Sequence, residues 1–132
     1  MTGNRPPDPA EKIAAQATRA VRERERQAEY EACKTDLKCW GEKHASRAFS
    51  ACRDAIERHA KYQFEWTDGL FGSKFSRFSW KNKSDLTLIY VGDKIQFQNG
   101  FGAWQNMQYR CDYDPVNKKM LSVFVSEGRL KQ

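Results

Sequence analysis

Residues 86–91 and 94–99 alternate between core-forming and polar side chains, and Gly92-Asp93 stands between them. Alternation at period two marks a strand with one buried face. A glycine at the first position of a two-residue connection suits a type II′ turn, so the pattern predicts a β-hairpin centred on Gly92-Asp93. Pairing across that turn puts Leu86, Leu88, Tyr90, Ile95 and Phe97 on the core face. Thr87, Ile89, Val91, Lys94, Gln96 and Gln98 fall on a mostly wet face. Residues 62–66 also alternate and stop at the Asp68-Gly69 turn, and 74–80 carry Phe75, Phe78 and Trp80. Residues 103–113 extend after a glycine-rich break at 99–102, and 119–126 close the sheet with Leu121, Val123 and Val125 inward. Polar residues 81–85, and Asp114-Pro115 with Asn117, read as turns. Short turns between successive strands imply an antiparallel meander.

Ahead of the strands the apolar period becomes helical. Asp8-Pro9-Ala10-Glu11 is a helix start, with Asp at the N-cap, Pro at the first helical position and Glu placed for a capping box. A helix over 9–32 follows, but its stripe of Ile13, Ala14, Ala17, Ala20, Val21 and Ala28 is too slight to bury deeply. It reads as a protruding helix, either solvated or self-associating through that stripe. Residues 33–41 read as a connector with short helical character. In 43–62, Ala45, Ala48, Phe49, Cys52, Ile56 and His59 share one helical face that should lie on the sheet, and Arg47, Arg53, Asp54, Glu57 and Arg58 face water. The expected fold class is α+β: two N-terminal helices, the second packed on an antiparallel meander of about five strands. The expected organisation is a flexible lead at 1–8, a helix and connector at 9–42, and an α+β domain at 43–132.

Composition adds a boundary and a charge. Aromatic residues concentrate after Tyr62, whereas the earlier chain is rich in Ala, Glu, Arg and Lys. At 132 residues the chain can bury a core without metal or disulfide support. The net charge of +6 draws a protein toward nucleic acid, anionic headgroups or acidic partners, although charge of this size also serves plain solubility. No stretch is apolar enough to span a bilayer, and the N-terminus carries no signal-peptide core, so the chain as it stands reads as soluble.

Four cysteines, Cys33, Cys39, Cys52 and Cys111, permit two disulfides. Cys52 lies on the apolar face of the second helix, and Cys111 shares a strand face with Met107, Tyr109 and Tyr113. Both thiols therefore point into the helix–sheet interface. A Cys52–Cys111 bond would staple helix to sheet and stabilise by about 3–5 kcal/mol, leaving Cys33 and Cys39 to close the connector. The competing arrangements are reduced core thiols and a zinc set drawn from Cys33, Cys39, His44 and Cys52. That set lacks the Cys-x-x-Cys knuckles of structural zinc sites, so no metal or cofactor is expected.

No catalytic constellation stands out. Gly100-Phe101-Gly102 precedes a strand, whereas a phosphate cradle needs a helix N-terminus. No Ser-His-Asp or Cys-His pairing can be placed together, so the chain reads as a non-enzyme. The candidate binding surface is aromatic and basic: Lys74, Phe75, Arg77, Phe78, Trp80, Lys81, Lys83 and Trp104. Cations interleaved with aromatics on a sheet suit single-stranded nucleic acid, and the same residue types suit the centre of a protein interface. The plainer alternative puts Phe75, Phe78 and Trp80 in the core with the cations as a rim.

A set of short motifs carries a resemblance. They are Cys39-Trp40, Glu65-Trp66-Thr67, Gly92-Asp93-Lys94, the Phe-Gln-Asn-Gly-Phe-Gly-Ala-Trp run at 97–104, Tyr109-x-Cys111, Asp114-Pro115 and Gly128-Arg129-Leu130. Together, over about 33–130, they resemble a group of small uncharacterised proteobacterial envelope proteins. In that group such a domain commonly follows a membrane anchor or a zinc-ribbon-like segment. The resemblance implies a bacterial envelope or periplasmic setting, paired cysteines and no known activity to carry over. This chain departs from the group in showing no anchor, which keeps a cytoplasmic setting in play. The function expected is a non-catalytic, disulfide-stabilised envelope domain binding a protein or assembly partner. The alternative is a single-stranded nucleic-acid-binding module.

Overall fold

The computed structural model describes residues 5–69 and 72–131, so part of the expected lead at 1–8 lies outside the described residues. The chain divides into two units, 1–36 and 37–132. In the first, helix α1 spans Pro9–Lys34. Asp8 caps it by accepting the Glu11 N–H at 2.8 Å, and the Glu11 carboxylate takes the Arg5 guanidinium at 2.9 Å. Every side chain from 5 to 29 is exposed, as the thin apolar stripe implies.

The second unit opens with α2, Leu37–Glu57. It starts six residues before the expected Lys43 and stops before the expected Tyr62, so the connector shrinks to Thr35-Asp36. The early start has a packing reason. Gly41, which reads as a helix breaker in sequence, lies inside α2 against the ring of Phe78, where a Cβ would collide with ring carbons. The Gly41 carbonyl accepts the Tyr90 hydroxyl at 2.6 Å, and the fully buried Trp40 donates its indole N–H to Leu86 O at 3.0 Å. At the far end His59 N–H and Ala60 N–H bond three residues back, to Ile56 O and Glu57 O, which tightens and ends the helix.

Five antiparallel strands follow: β1 Phe64–Trp66, β2 Arg77–Asn82, β3 Thr87–Gln98, β4 Trp104–Asp114 and β5 Lys119–Glu127. β3, β4 and β5 form a meander, and β1 and β2 share the free edge of β3, pairing with its two halves. A single 3-10 turn, Lys83–Asp85, links β2 to β3, and Leu86 caps it at φ 65°. Leu86 is thus a left-handed cap residue ahead of the strand, and half-buried.

The expected Gly92-Asp93 hairpin is replaced by a bulge. Gly92 faces Tyr109 and Ile95 faces Met107, so β3 advances three residues where β4 advances two. A Gly-Asp pair between alternating segments serves a turn or a bulge equally well, and only tertiary pairing chooses. Gly92 is required because Lys74 O and the Tyr109 phenol, itself hydrogen-bonded to Lys74 O, crowd where a Cβ would stand. The extra residue also resets the alternation. Leu88, Tyr90, Ile95 and Phe97 therefore remain on one buried face.

That face meets α2. Ala48, Cys52 and Ile56 are fully buried against it, as are Leu88, Tyr90, Ile95 and Cys111. The Cys52–Cys111 disulfide joins α2 to β4. Phe75 completes the core, stacked on Tyr90 at 4.8 Å between centroids. Val123 and Val125 sit opposite Cys111 and Tyr109 and are half-buried. Leu121, expected inward, is 39% exposed because it falls where the β4–β5 register shifts. His59, expected on the buried helix face, is exposed beyond the end of α2.

Candidate functional site

α2 covers one face of the sheet, and the register fixes what the other face presents. Arg77 pairs with Val91, Val91 with Arg110 and Arg110 with Phe124, giving one cross-strand row. The neighbouring row is Ser79, Ile89, Asp112 and Ser122. Each residue alternates with an inward neighbour such as Phe78, Tyr90, Cys111 or Val123, so both rows face away from α2. Phe124 is 55% exposed, and the Arg110 guanidinium lies over its ring at 5.2 Å.

Asp112 organises the second row. It is fully buried although it occupies the face read as wet. Its carboxylate accepts Arg110 Nε at 2.7 Å and Nη2 at 3.0 Å, Lys81 Nζ at 2.9 Å and Ser122 Oγ at 3.0 Å. Burial by itself would raise the Asp112 pKa, but the hydrogen bonds from Arg110, Lys81 and Ser122 outweigh it and hold the carboxyl below its ordinary range. The same bonds push the Arg110 pKa up. Arg110 and Lys81 keep about two-fifths of their side chains exposed, at 41% and 38%, so this knot offers cation edges to solvent while its anion is hidden.

The bulge and the C-terminal segment meet on the same sheet. Leu130 N–H donates to Asp93 Oδ2 at 3.1 Å, and Lys131 O accepts Arg77 Nη1 at 2.9 Å. Two motifs that are 37 residues apart, Gly92-Asp93-Lys94 and Gly128-Arg129-Leu130, are thereby joined. At the other end of the sheet, Asn99 Oδ1 accepts the Phe101 and Ala103 N–H groups, and Gly102 takes φ +83°. This tight β3–β4 loop holds Phe101 at 98% exposure beside Trp104, which is 41% exposed.

The candidate surface read from sequence is divided by this geometry. Arg77 and Lys81 are outward, Trp104 lies at the end of the same face, and Lys83 is exposed in the 3-10 turn. Phe75 is in the core, and Phe78 and Trp80 point to the α2 side of β2. Lys74 is half-buried in an ion pair with Asp68 and lies 5.4 Å from the Trp66 ring. Sequence reasoning missed Arg110, Phe124 and Phe101. Arg110 and Phe124 could be found only by knowing the β4–β5 register, whereas Phe101, an aromatic between two glycines in a turn, was legible.

All four cysteines are in disulfides and none is free, which removes the thiolate ligands that a zinc site would need. Among the described residues no three His, Cys, Asp or Glu side chains gather to hold a metal ion. No described helix is long and apolar enough to cross a membrane. Comparison with protein-family models, curated proteins and solved structures finds no match to this chain.

Proposed function

We propose that this protein is a non-catalytic domain of the bacterial envelope, outside the cytoplasm, that docks an acidic protein partner on the uncovered face of its sheet. The observation that carries the reading is the oxidation of every cysteine, with Cys52–Cys111 tying α2 to β4. Paired thiols persist in oxidising compartments and are rare where glutathione and thioredoxin operate. The docking face is argued from charge and shape. Arg110 lies over the exposed Phe124, Arg77 and Lys81 present cations on the same face, the Asp112 carboxylate that binds Arg110 and Lys81 is buried, and the whole chain is +6. Arg and aromatic side chains are the usual energetic centre of an interface, and charge complementarity selects an acidic partner. The resemblance to envelope proteins points the same way.

The test is disulfide mapping by mass spectrometry on protein recovered from its producing cell, combined with photo-crosslinking from position 124. Two bonds, and a crosslink to an acidic protein that Arg77→Glu abolishes, are expected. Four free thiols in the native protein would overturn the compartment, and an unchanged crosslink in Arg77→Glu would overturn the docking face. The cation–π pair of Arg110 and Phe124 favours one second reading, a single-stranded nucleic-acid surface. Salt-dependent oligonucleotide binding that is lost in Phe124→Ala would select that reading instead.

A further inference from the structure

A separate feature lies on the flank of α2. Ser46, Arg47, Ser50 and Ala51 on the helix, Tyr113 at the end of β4 and Lys118 in the β4–β5 turn line an open cleft of about 520 Å³. That volume falls within the range of roughly 300–1,000 Å³ usual for small-molecule sites. The lining holds two cations and three hydroxyls and no carboxylate. Ser46 and Ser50 are one helical turn apart, which aligns their hydroxyls along the same wall.

Tyr113 lines the cleft although it is only 2% exposed, and its hydroxyl has no hydrogen-bond partner among the described residues. The hydroxyl is not sealed from solvent. A nearly buried phenol without a protein partner, in the wall of an open cationic cleft, can donate its O–H to a ligand acceptor. Burial raises the Tyr113 pKa, with Arg47 pulling it down and the nearby Asp114 carboxylate pushing it up, so the group keeps its proton at neutral pH. The backbone at Lys118 is set by its turn. Asp114 accepts the Val116 and Asn117 N–H groups and Asn117 Nδ2, and Lys118 follows at φ 55°. Those bonds occupy the Asp114 carboxylate, the nearest anion along the chain. Neither Arg47 nor Lys118 has a carboxylate within ion-pair distance among the described residues.

We infer that this cleft binds the phosphoryl group of a small soluble phosphate ester, with Arg47 and Lys118 as counter-cations and Ser46, Ser50 and Tyr113 as hydroxyl donors. The lining donors come from a helix wall, a strand end and a turn. A tetrahedral group with three or four acceptor oxygens can meet donors from several directions, whereas a planar carboxylate offers two oxygens in one plane. No group in the lining accepts charge from a cationic ligand.

The experiment is a 15N-resolved NMR titration of the full oxidised chain with inorganic phosphate and with glycerol phosphate, against sodium chloride at matched ionic strength. Saturable shifts at Ser46, Arg47, Ser50 and Lys118 with both phosphates, and none with chloride, are expected. Arg47→Gln and Lys118→Gln should each weaken binding roughly tenfold. Tyr113→Phe keeps the ring in the core and removes only the O–H, so it should weaken binding while the thermal transition holds. A second arm uses phosphatidylglycerol vesicles. Co-sedimentation that requires Arg47, without saturation by the soluble ester, would overturn the soluble ligand in favour of a lipid headgroup. Equal shifts with chloride, or phosphate binding that survives the Arg47→Gln/Lys118→Gln double substitution, would overturn the site.

Discussion

His44 shows how one residue couples burial to pH. It is 8% exposed and edge-on to Trp40 at 4.2 Å, and its Nε2 has no hydrogen-bond partner among the described residues. Burial, with Lys43 and Arg47 nearby, lowers its pKa from 6.5 to about 4. The unfolded chain therefore takes up a proton near pH 6.5 that the folded chain refuses until about pH 4. More protons bind to the unfolded state in that window, so stability must fall as pH falls across it, by about 3 kcal/mol in all. Urea midpoints measured from pH 7 to 4 should show this loss, and His44→Phe should flatten it while keeping the edge-on contact with Trp40. Asp112 acts in the same direction lower on the scale. Its folded pKa is depressed, so the stability it contributes is present above the ordinary carboxylate range and is lost as the pH drops from that range down through the depressed folded value. Asp112→Ala should cost about 2–3 kcal/mol at pH 7 in chemical denaturation, since Arg110 and Lys81 can be solvated but their hydrogen bonds are lost.

At the scale of elements, two glycines decide where α2 and β3 run. In an isolated helix Gly41→Ala would stabilise by about 1 kcal/mol. Here the new methyl would meet the Phe78 ring, so the expected sign is reversed, with a loss of about 1–3 kcal/mol in denaturant unfolding. Gly92→Ala should destabilise at least as much, because the backbone carbonyl of Lys74 cannot move as a side-chain tip can. Both glycines read as punctuation in sequence, one ending a connector and one making a turn. Sequence period carried the inward residues Leu88, Tyr90, Ile95 and Phe97 correctly, since a turn and a one-residue bulge place them on the same face. It could not distinguish a hairpin from a bulged strand, because the two differ only in which partner pairs with the second half. The candidate surface failed for a related reason. Residues 74–80 hold cations and aromatics within one short span, and strand alternation sends Arg77 to one face and Phe78 and Trp80 to the other.

At the scale of the whole molecule, the Cys52–Cys111 bond closes a loop across 59 positions. A loop of that length corresponds to about 4 kcal/mol of stabilisation in the chain-entropy model. Replacing both cysteines with Ala should lower unfolding free energy by about that amount, with a smaller drop if the unfolded chain retains structure. Equilibrium urea unfolding of the two proteins under non-reducing conditions measures it directly. From the sequence alone came the α+β class, the capped first helix, the inward positions of Cys52 and Cys111, and the excess of positive charge. Those properties rest on local period, capping chemistry and composition, which are present in any short window of the chain. Tertiary structure decided the bulge at Gly92, the burial of Asp112 among Arg110, Lys81 and Ser122, the tie from Asp93 to Leu130, and the cleft that joins Arg47, Tyr113 and Lys118. Each of these needs residues tens of positions apart to meet at a particular register. Period fixes which way a side chain points, but not which distant side chain it will face.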